Sequence, residues 1–379
     1  MWWSIGSTER YMLYARVWFW SGGELPFLIR RPQTRTYGGR RSSLDPRRLE
    51  GRLLRRPRLE ERDSSLTPLA EDEAIIATNT DATECKRCAV ELGYWKDDYI
   101  SYFVRHVDRK APEINRGYYA RVRAMEIFIH QFLERCGTKC QIINLGCGYD
   151  TLYWRLKDTT QAVGNFIELD FPAVTSKKCH IIKRNKQLLQ KIANEDGEVM
   201  IREGDLHSDG YHLLGCDLRC LAEVRRKLAA AGAGPQAPAL VLAECVLVYL
   251  RPDAADALLR HLAASFPRCA LLVYEQCNLG DKFGEVMVRN LSARGCVVAG
   301  ARLAGSPTAQ AERLAALGFD SARAWDMEAV WRSFPEEDRA RVEALEMLDE
   351  RELLLQLNSH YALCVATRGD IFADMDLNA

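Results

Sequence analysis

The chain has 379 residues, 47% of them hydrophobic, which is enough for one large or two ordinary domains with a substantial core. Its formal net charge of +0 provides no overall field that attracts nucleic acid or membrane, so we expect neither as a partner. No apolar run is long enough to span a bilayer, no signal peptide opens the chain, and the 13 scattered cysteines are typical of free thiols, so we expect a soluble cytoplasmic protein.

The first part of the chain differs in composition from the rest. Residues 1–63 are rich in arginine, proline and serine and show no sustained apolar periodicity, and residues 71–84 are acidic. We therefore predict a poorly ordered basic extension and linker over residues 1–84, in preference to a targeting presequence or a basic arm for an acidic partner. Residues 85–379 are predicted to be globular. Cys85 and Cys88 form the only CxxC, so no metal site is expected.

A strong helix is predicted to open at Pro112, because proline is tolerated in a first helical turn. Its apolar residues recur at helical spacing from Val122 to Phe132, and Gly137 is a plausible stop. Together with the segment before it, this helix forms an N-terminal cap of the globular part. Arg116, Arg121 and Arg123 lie near the beginning of the helix, and one of them is a candidate to hold an anion.

A glycine turn follows the next predicted strand, residues 141–145, and organises the rest of the chain. Gly146 and Gly148 can adopt backbone angles that other residues resist, and they allow a ligand to approach the main chain. Thr151 stands where a dinucleotide-binding fingerprint has its third glycine, so NAD or FAD is disfavoured. S-adenosylmethionine and a turn without any ligand remain open at this point.

Three later predicted strands end in or near an acid. Asp170 lies about twenty residues beyond the glycines, where a carboxylate accepts hydrogen bonds from both ribose hydroxyls. Asp217 followed by Leu218 suits an adenine, which needs an acceptor for its amine and a flat apolar face. Glu244 ends the strand 239–244. Strands that only form a core rarely need such acids, so the ligand is predicted to bind at this edge of the sheet.

Strands and helices alternate from residue 141 to residue 275, which predicts an α/β fold with a doubly wound, mostly parallel sheet. Residues 278–306 break the alternation with an amphipathic stretch that either covers the sheet or forms a lid over the substrate. Residues 360–367 are predicted to be a last strand at the sheet edge, and we expect it to be antiparallel.

From about residue 85 to residue 367 the chain closely resembles leucine carboxyl methyltransferase, the enzyme that methylates the C-terminal leucine of the type 2A protein phosphatase catalytic subunit. The resemblance lies in many segments in the same order: CKRCAVELGYW, KAPEINRGYYARV, INLGCGYDTLYWRLKD, ELDFP, GCDLR, LAECVLVYL, YEQCNLGDKFG and NSHYALCVATRG.

The resemblance implies an S-adenosylmethionine-dependent methyltransferase fold with additions that form the substrate pocket. It implies that the cofactor is contacted by Lys86, Arg121, Gly146, Asp170, Asp217, Leu218 and Glu244, to which we add Gly148 from the turn. The partner it implies is the phosphatase catalytic subunit, through both its C-terminal tail and its folded surface, and we expect this chain to be a monomer.

The predicted reaction is an in-line displacement at the methyl group by a carboxylate oxygen. An α-carboxyl group has a pKa near ~3.5, so the nucleophile is ionised at neutral pH and needs no general base. Lys86 and Arg121 are expected to hold carboxylates of the cofactor, the substrate or both, and Tyr249 is a candidate for a contact near the methyl group. The alternatives are a non-catalytic regulator that binds the cofactor and the phosphatase, a tRNA wybutosine-type methyltransferase, whose C-terminal propeller we do not expect in this chain, and an NAD oxidoreductase.

Overall fold

The computed structural model describes residues 68–105, 107–159, 163–193, 198–202 and 204–377. Residues 1–67 of the extension and linker predicted for residues 1–84 lie outside the described residues. No helix in the described part of the chain is long and apolar enough to cross a membrane.

Nine strands of the described chain form one mixed sheet in the order β3-β4-β5-β2-β1-β6-β7-β9-β8. The strands are β1 (Gln141–Leu145), β2 (Asn165–Asp170), β3 (Met200–Arg202), β4 (Asp205–Ser208), β5 (Tyr211–Gly215), β6 (Ala239–Glu244), β7 (Cys269–Gln276), β8 (Ser321–Asp326) and β9 (Tyr361–Arg368). The five central strands, from β5 to β7, pair in parallel, whereas the strands on both flanks pair antiparallel. The predicted doubly wound, mostly parallel sheet with an antiparallel last strand is confirmed.

Helices cover both faces of the sheet. They are α1 (Pro68–Glu91), α2 (Pro112–Cys136), α3 (Leu152–Lys157), α4 (Pro172–Arg184), α5 (Lys186–Ile192), α6 (Leu221–Ala230), α7 (Pro252–Ser265), α8 (Lys282–Ala293), α9 (Pro307–Ala316), α10 (Met327–Ser333), α11 (Glu336–Glu343) and α12 (Arg351–Asn358). Alternate strand residues point to opposite faces, so Ile142 belongs to one hydrophobic core and Ile143 to the other.

Helix α2 has the predicted bounds and packs on the first of these cores. Pro112 occupies its first turn, and Gly137 follows its last residue with φ +59°, a conformation that favours glycine. Its apolar stripe, which includes Phe128 and Phe132, is fully buried. The helix therefore lies rigidly against the sheet, and this fixes the position of Arg121, which it carries.

Several sequence predictions are wrong. Residues 71–84 are not a linker, because they belong to the continuous helix α1, which crosses the predicted boundary after residue 84. The last strand, β9, is not at the edge, since it pairs with β7 on one side and β8 on the other. The sequence analysis also missed β8 and the β3–β4 hairpin, which are the strands at the two sheet edges.

The direction in which strands are added to the sheet reverses between β1 and β6. The chain continues from β1 to β2 on one side of β1, and β6 is later added on its other side. In open α/β sheets ligands bind beside such a switch point, outside the carboxyl ends of the strands. The carboxyl ends of β1, β2, β5 and β6 all open onto one cavity at this edge. A cavity thus lies at the sheet edge where the acidic strand ends predicted a ligand, and binding of a ligand there stays a prediction.

Candidate functional site

The structure brings all of the predicted site residues into one cavity. Its lining includes Lys86, Arg121, Gly146, Gly148, Asp170, Asp217, Leu218, Glu244 and Tyr249. They come from α1, α2, the glycine turn and the loops after β2, β5 and β6. Their placement together is an observation, whereas the contact of each with a ligand stays a prediction.

The glycine turn after β1 has left-handed backbone angles at both glycines. Gly146 has φ +61° and Gly148 has φ +51°. A Cβ atom on Gly146 would stand 2.6 Å from Cγ2 of Val246, and one on Gly148 would collide with the amide oxygen of Asn79. Both positions therefore need glycine for conformation and for space, and the bare main chain is left open to the cavity.

Gly146→Ala is accordingly expected to weaken binding of S-adenosylhomocysteine by about tenfold or more, because both the strained φ and the contact with Val246 push the turn out of place. Isothermal calorimetry of the folded variant measures this affinity. Gly137→Ala is the matched control: it also has a positive φ, +59°, but no atom lies within 4 Å of its added Cβ. If both variants lose the same affinity for S-adenosylhomocysteine, backbone strain alone explains the loss and the contact of the turn with Val246 does not.

Asp170 is fixed against the glycine turn by two backbone donors. Its carboxylate accepts hydrogen bonds from the N–H of Gly148 at 2.7 Å and from the N–H of Phe171 at 2.7 Å. The residue is 9% exposed, and this burial raises the pKa of the carboxyl group against the opposing effect of the two N–H donors. Asp170 lies at the end of β2, where an acceptor for a ribose diol is expected in such folds.

A buried ion pair supports the loop that follows the glycine turn. Nζ of Lys178 lies 2.6 Å from the carboxylate of Glu168 and also donates to the carbonyl oxygen of Asp150 at 2.8 Å. Both side chains of the pair are fully buried. Breaking such a pair by removing one partner leaves an uncompensated charge, so the loop is held firmly.

Asp217 and Leu218 lie in the loop after β5, as predicted, and a neighbouring arginine joins this loop to α1. Arg219 donates to both carboxylate oxygens of Asp72 at 2.7 and 2.8 Å and to Asp217 at 2.8 Å. Its guanidinium lies 5.4 Å from the centre of the Phe171 ring. The acid, the apolar Leu218 and the aromatic ring together suit a flat nitrogen heterocycle.

The most strongly charged part of the cavity lies at the end of β6. Glu244 contacts Nε of Arg121 and lies 2.9 Å from Nζ of Lys86, so two cations face one carboxylate. Burial alone raises the pKa of Glu244, but the two cations more than offset it and hold the pKa at about 2. Arg121 also lies 4.8 Å from the centre of the Tyr274 ring and 5.3 Å from that of Tyr118. The cluster carries one excess positive charge, which favours binding of a further carboxylate.

Helix α1 forms a wall of the cavity, which the sequence analysis missed. The amide oxygen of Asn79 accepts from the N–H of Tyr149 at 2.9 Å, and Asp81 pairs with Arg294 just beyond α8. Leu291 and Arg294 line the cavity as well, so the segment 278–306 covers it in part. Whether this segment moves as a lid stays a prediction. The polar residues of α1 were the available signal, but the acidic composition favoured a linker.

The described lining of the cavity offers no histidine and no easily ionised thiol or phenol as a base. No histidine lines it, and burial raises the pKa of the Cys85 thiol to about 11 and those of Cys216 and Cys245 to about 12. Burial also raises the pKa of the Tyr249 hydroxyl, so it is protonated at neutral pH. Among the described residues no group of three or more His, Cys, Asp or Glu could hold a metal ion. Several of the carboxylates that line it, those of Glu244, Asp217, Asp81 and Asp170, are held by cations or backbone N–H groups, so the site is suited to align charged reactants.

Comparison with known proteins agrees with this geometry. The family model described as leucine carboxyl methyltransferase matches residues 74–263. Leucine carboxyl methyltransferase 1 of Bos taurus is 44% identical over 302 residues, which cover 79% of this chain and 91% of that protein. The tRNA wybutosine-synthesizing protein 4 of Rattus norvegicus is 34% identical over 79% of this chain but only 45% of its own length.

Solved structures resemble the chain more distantly. The match with the plantazolicin methyltransferase BamL, in complex with a triazolic desmethylPZN analogue and SAH, covers 77% of this chain and 99% of that chain, with 8% identity and a TM-score of 0.36.

Proposed function

Because the chain belongs to the leucine carboxyl methyltransferase family, we propose that it forms a methyl ester on the C-terminal leucine of the type 2A protein phosphatase catalytic subunit. The observation that supports this most directly is the pair of cations, Lys86 and Arg121, on Glu244 beside the glycine turn, in a cavity whose described lining has no histidine. A C-terminal carboxylate is already ionised at neutral pH, so it is the kind of nucleophile that such a cavity can use.

S-adenosylmethionine is the methyl donor of this family, and the cavity has groups suited to each of its parts. The bare main chain of the glycine turn leaves room beside β1, Asp170 offers its carboxylate to a ribose diol, and Asp217 with Leu218 suits the adenine. Lys86 and Arg121 offer charge to a carboxylate. When bound, this cofactor supplies a methyl group on a positively charged sulfur.

The contribution of the chain's own residues is binding, alignment and exclusion of water. Arg121 is buried to 7% exposure and is restrained by Glu244 and two aromatic rings, so its guanidinium is preorganised to hold a carboxylate. Glu244 prevents the two cations from pairing fully with the substrate, which preserves the nucleophilicity of the free oxygen. Tyr249 remains the candidate for a contact near the methyl group, as a neutral hydroxyl.

Incubation with S-adenosylmethionine labelled in its methyl group tests the proposal. The phosphatase catalytic subunit is expected to take up label that dilute base releases, as from an ester, and the same subunit without its terminal leucine is expected to take up none. Cofactor binding without label transfer would favour the non-catalytic regulator. Label on tRNA would favour the wybutosine-type enzyme, whose Rattus norvegicus member is 34% identical to this chain.

The same assay shows whether the chain recognises only the C-terminal tail of the phosphatase or also its folded surface. A free peptide with the C-terminal sequence of the phosphatase is expected to react more slowly than the folded subunit, because remote contacts supply binding energy that the peptide lacks. Equal rates would restrict recognition to the tail.

A further inference from the structure

The turn after β6 has backbone N–H groups that do not donate to a backbone carbonyl oxygen. Cys245 has φ +54°, which is unusual for a residue with a side chain, and its N–H donates to the carbonyl oxygen of Tyr274 at 2.7 Å. The chain then enters the short 3-10 turn Leu247–Tyr249. The N–H groups of residues 246–248 point away from any strand or helix partner and need acceptors of another kind.

Glu275 supplies these acceptors from the neighbouring strand. One carboxylate oxygen accepts from the N–H of Val246 at 2.5 Å and that of Leu247 at 3.0 Å, and the other accepts from the N–H of Val248 at 3.0 Å. Glu275 is only 5% exposed and follows Tyr274, which pairs with Glu244 in the sheet register. A single buried side chain therefore holds three consecutive amides of the turn.

This turn contacts the glycine turn on one side and the segment 278–306 on the other. The Val246 side chain presses on the glycine turn, since Cγ2 of Val246 would stand 2.6 Å from a Cβ on Gly146. On the other side, the carbonyl oxygen of Val248 accepts from the N–H of Gly300 at 2.8 Å, within the segment 278–306. Val246 and Tyr249 both line the cavity. A shift of the turn thus moves the cavity wall next to the glycines.

We propose that Glu275 is a positioning residue for methyl transfer: its carboxylate fixes residues 246–248 and, through Val246 and Tyr249, the shape of the cofactor cavity. The inference rests on the proposed function, because the cavity is taken to hold S-adenosylmethionine. Glu275 differs from Glu244 in its partners, since Glu244 faces two cations whereas Glu275 faces main-chain N–H groups.

Glu275→Gln tests this assignment with little change in shape. The glutamine oxygen can replace one carboxylate oxygen, but the amide NH2 then faces an N–H donor, so at least one amide of the turn loses its acceptor. We expect the amides of residues 246–248 to exchange with deuterium faster in the protein without cofactor. We also expect the Kd for S-adenosylhomocysteine, measured by calorimetry, to rise by about tenfold, with KM for the methyl donor rising more than kcat falls.

Glu346→Gln is the matched control. Glu346 is another buried carboxylate, 7% exposed, which accepts from the Tyr94 hydroxyl at 3.0 Å and from Nδ2 of Asn115 at 2.8 Å but does not line the cavity. Its variant is expected to lose thermal stability while keeping wild-type affinity for S-adenosylhomocysteine. If both variants lose the same affinity, Glu275 has only a general structural role and the proposal is overturned.

Glu275→Asp serves where the glutamine variant does not fold, because the aspartate keeps the charge but is too short to reach all three amides. Unchanged amide protection or unchanged S-adenosylhomocysteine affinity in either folded variant would contradict the proposal. Neither measurement requires a methyl acceptor. A wild-type protein that binds S-adenosylhomocysteine but fails to methylate the phosphatase would therefore refute the proposed function and leave this test intact.

Discussion

Arg121→Ala is expected to lower kcat/KM for methyl transfer by about 100-fold, since a hydrogen bond to a charged group contributes about 1.5–3 kcal/mol and about 1.4 kcal/mol corresponds to a tenfold change in rate. The variant removes the more buried of the two cations on Glu244 and leaves Lys86, whose Nζ lies 2.9 Å from the Glu244 carboxylate, as the remaining cation of the pair. Steady-state rates of label transfer to the phosphatase measure the loss.

The control for this variant lies on the same helix. Arg116 is also buried, with 6% exposure, but its guanidinium donates to the carbonyl oxygen of Glu346 at 2.7 Å and does not line the cavity. Arg116→Ala is expected to lower the melting temperature while the folded protein keeps its rate of methyl transfer. Unchanged turnover in Arg121→Ala would remove Arg121 from the site.

Asp170→Ala is expected to raise the Kd for S-adenosylhomocysteine by about 10- to 100-fold. The substitution removes the acceptor proposed for the ribose and also leaves the N–H groups of Gly148 and Phe171 without their partner, at about 1–3 kcal/mol for each unsatisfied group. Calorimetry with S-adenosylhomocysteine measures the change directly, without a methyl acceptor.

Asp320→Ala provides the comparison for this second variant. Asp320 also accepts a backbone hydrogen bond, from the N–H of Gly369 at 2.8 Å, but it lies outside the cavity. Its loss is expected to leave the affinity for S-adenosylhomocysteine unchanged. If Asp170→Ala binds this ligand as tightly as the wild type, the ribose assignment is wrong.

The central part of the fold could be predicted because its signals are local. The strand predicted at 141–145 and that at 239–244 have the bounds of β1 and β6. Each is a short, mostly apolar segment of the kind found in parallel strands with both faces buried. The glycine turn was predictable for a similar reason, because two glycines one residue apart directly after a strand indicate a tight turn.

The edges of the fold could not be predicted in the same way. Strand β3 is exposed along its whole length and β8 is only half-buried, so neither has a clear alternation of apolar and polar residues. Helix α1 borders the cavity and is mostly half-buried, and its composition alone looked like a linker. For β9, by contrast, the signal was present and misinterpreted, because an almost entirely buried apolar run is typical of an interior strand.

The acids at the strand ends show where sequence reasoning stops. Glu244 and Glu275 both lie near the end of a buried strand, and their neighbouring residues in the sequence do not indicate different roles. Only the three-dimensional arrangement shows that Lys86 and Arg121 surround Glu244 while main-chain amides surround Glu275. The role of each acid depends on partners that are distant in the sequence.

The interior position of β9 has a consequence for synthesis of the protein. Strands β1 to β7 can pair as they leave the ribosome, but β8 contacts the sheet only through β9, which follows after three more helices. Until β9 emerges, one side of β7 and all of β8 are open to misplaced pairing. Translation that stops before β9 therefore leaves a nascent chain with an unprotected, apolar strand edge, a natural target for chaperones or for degradation.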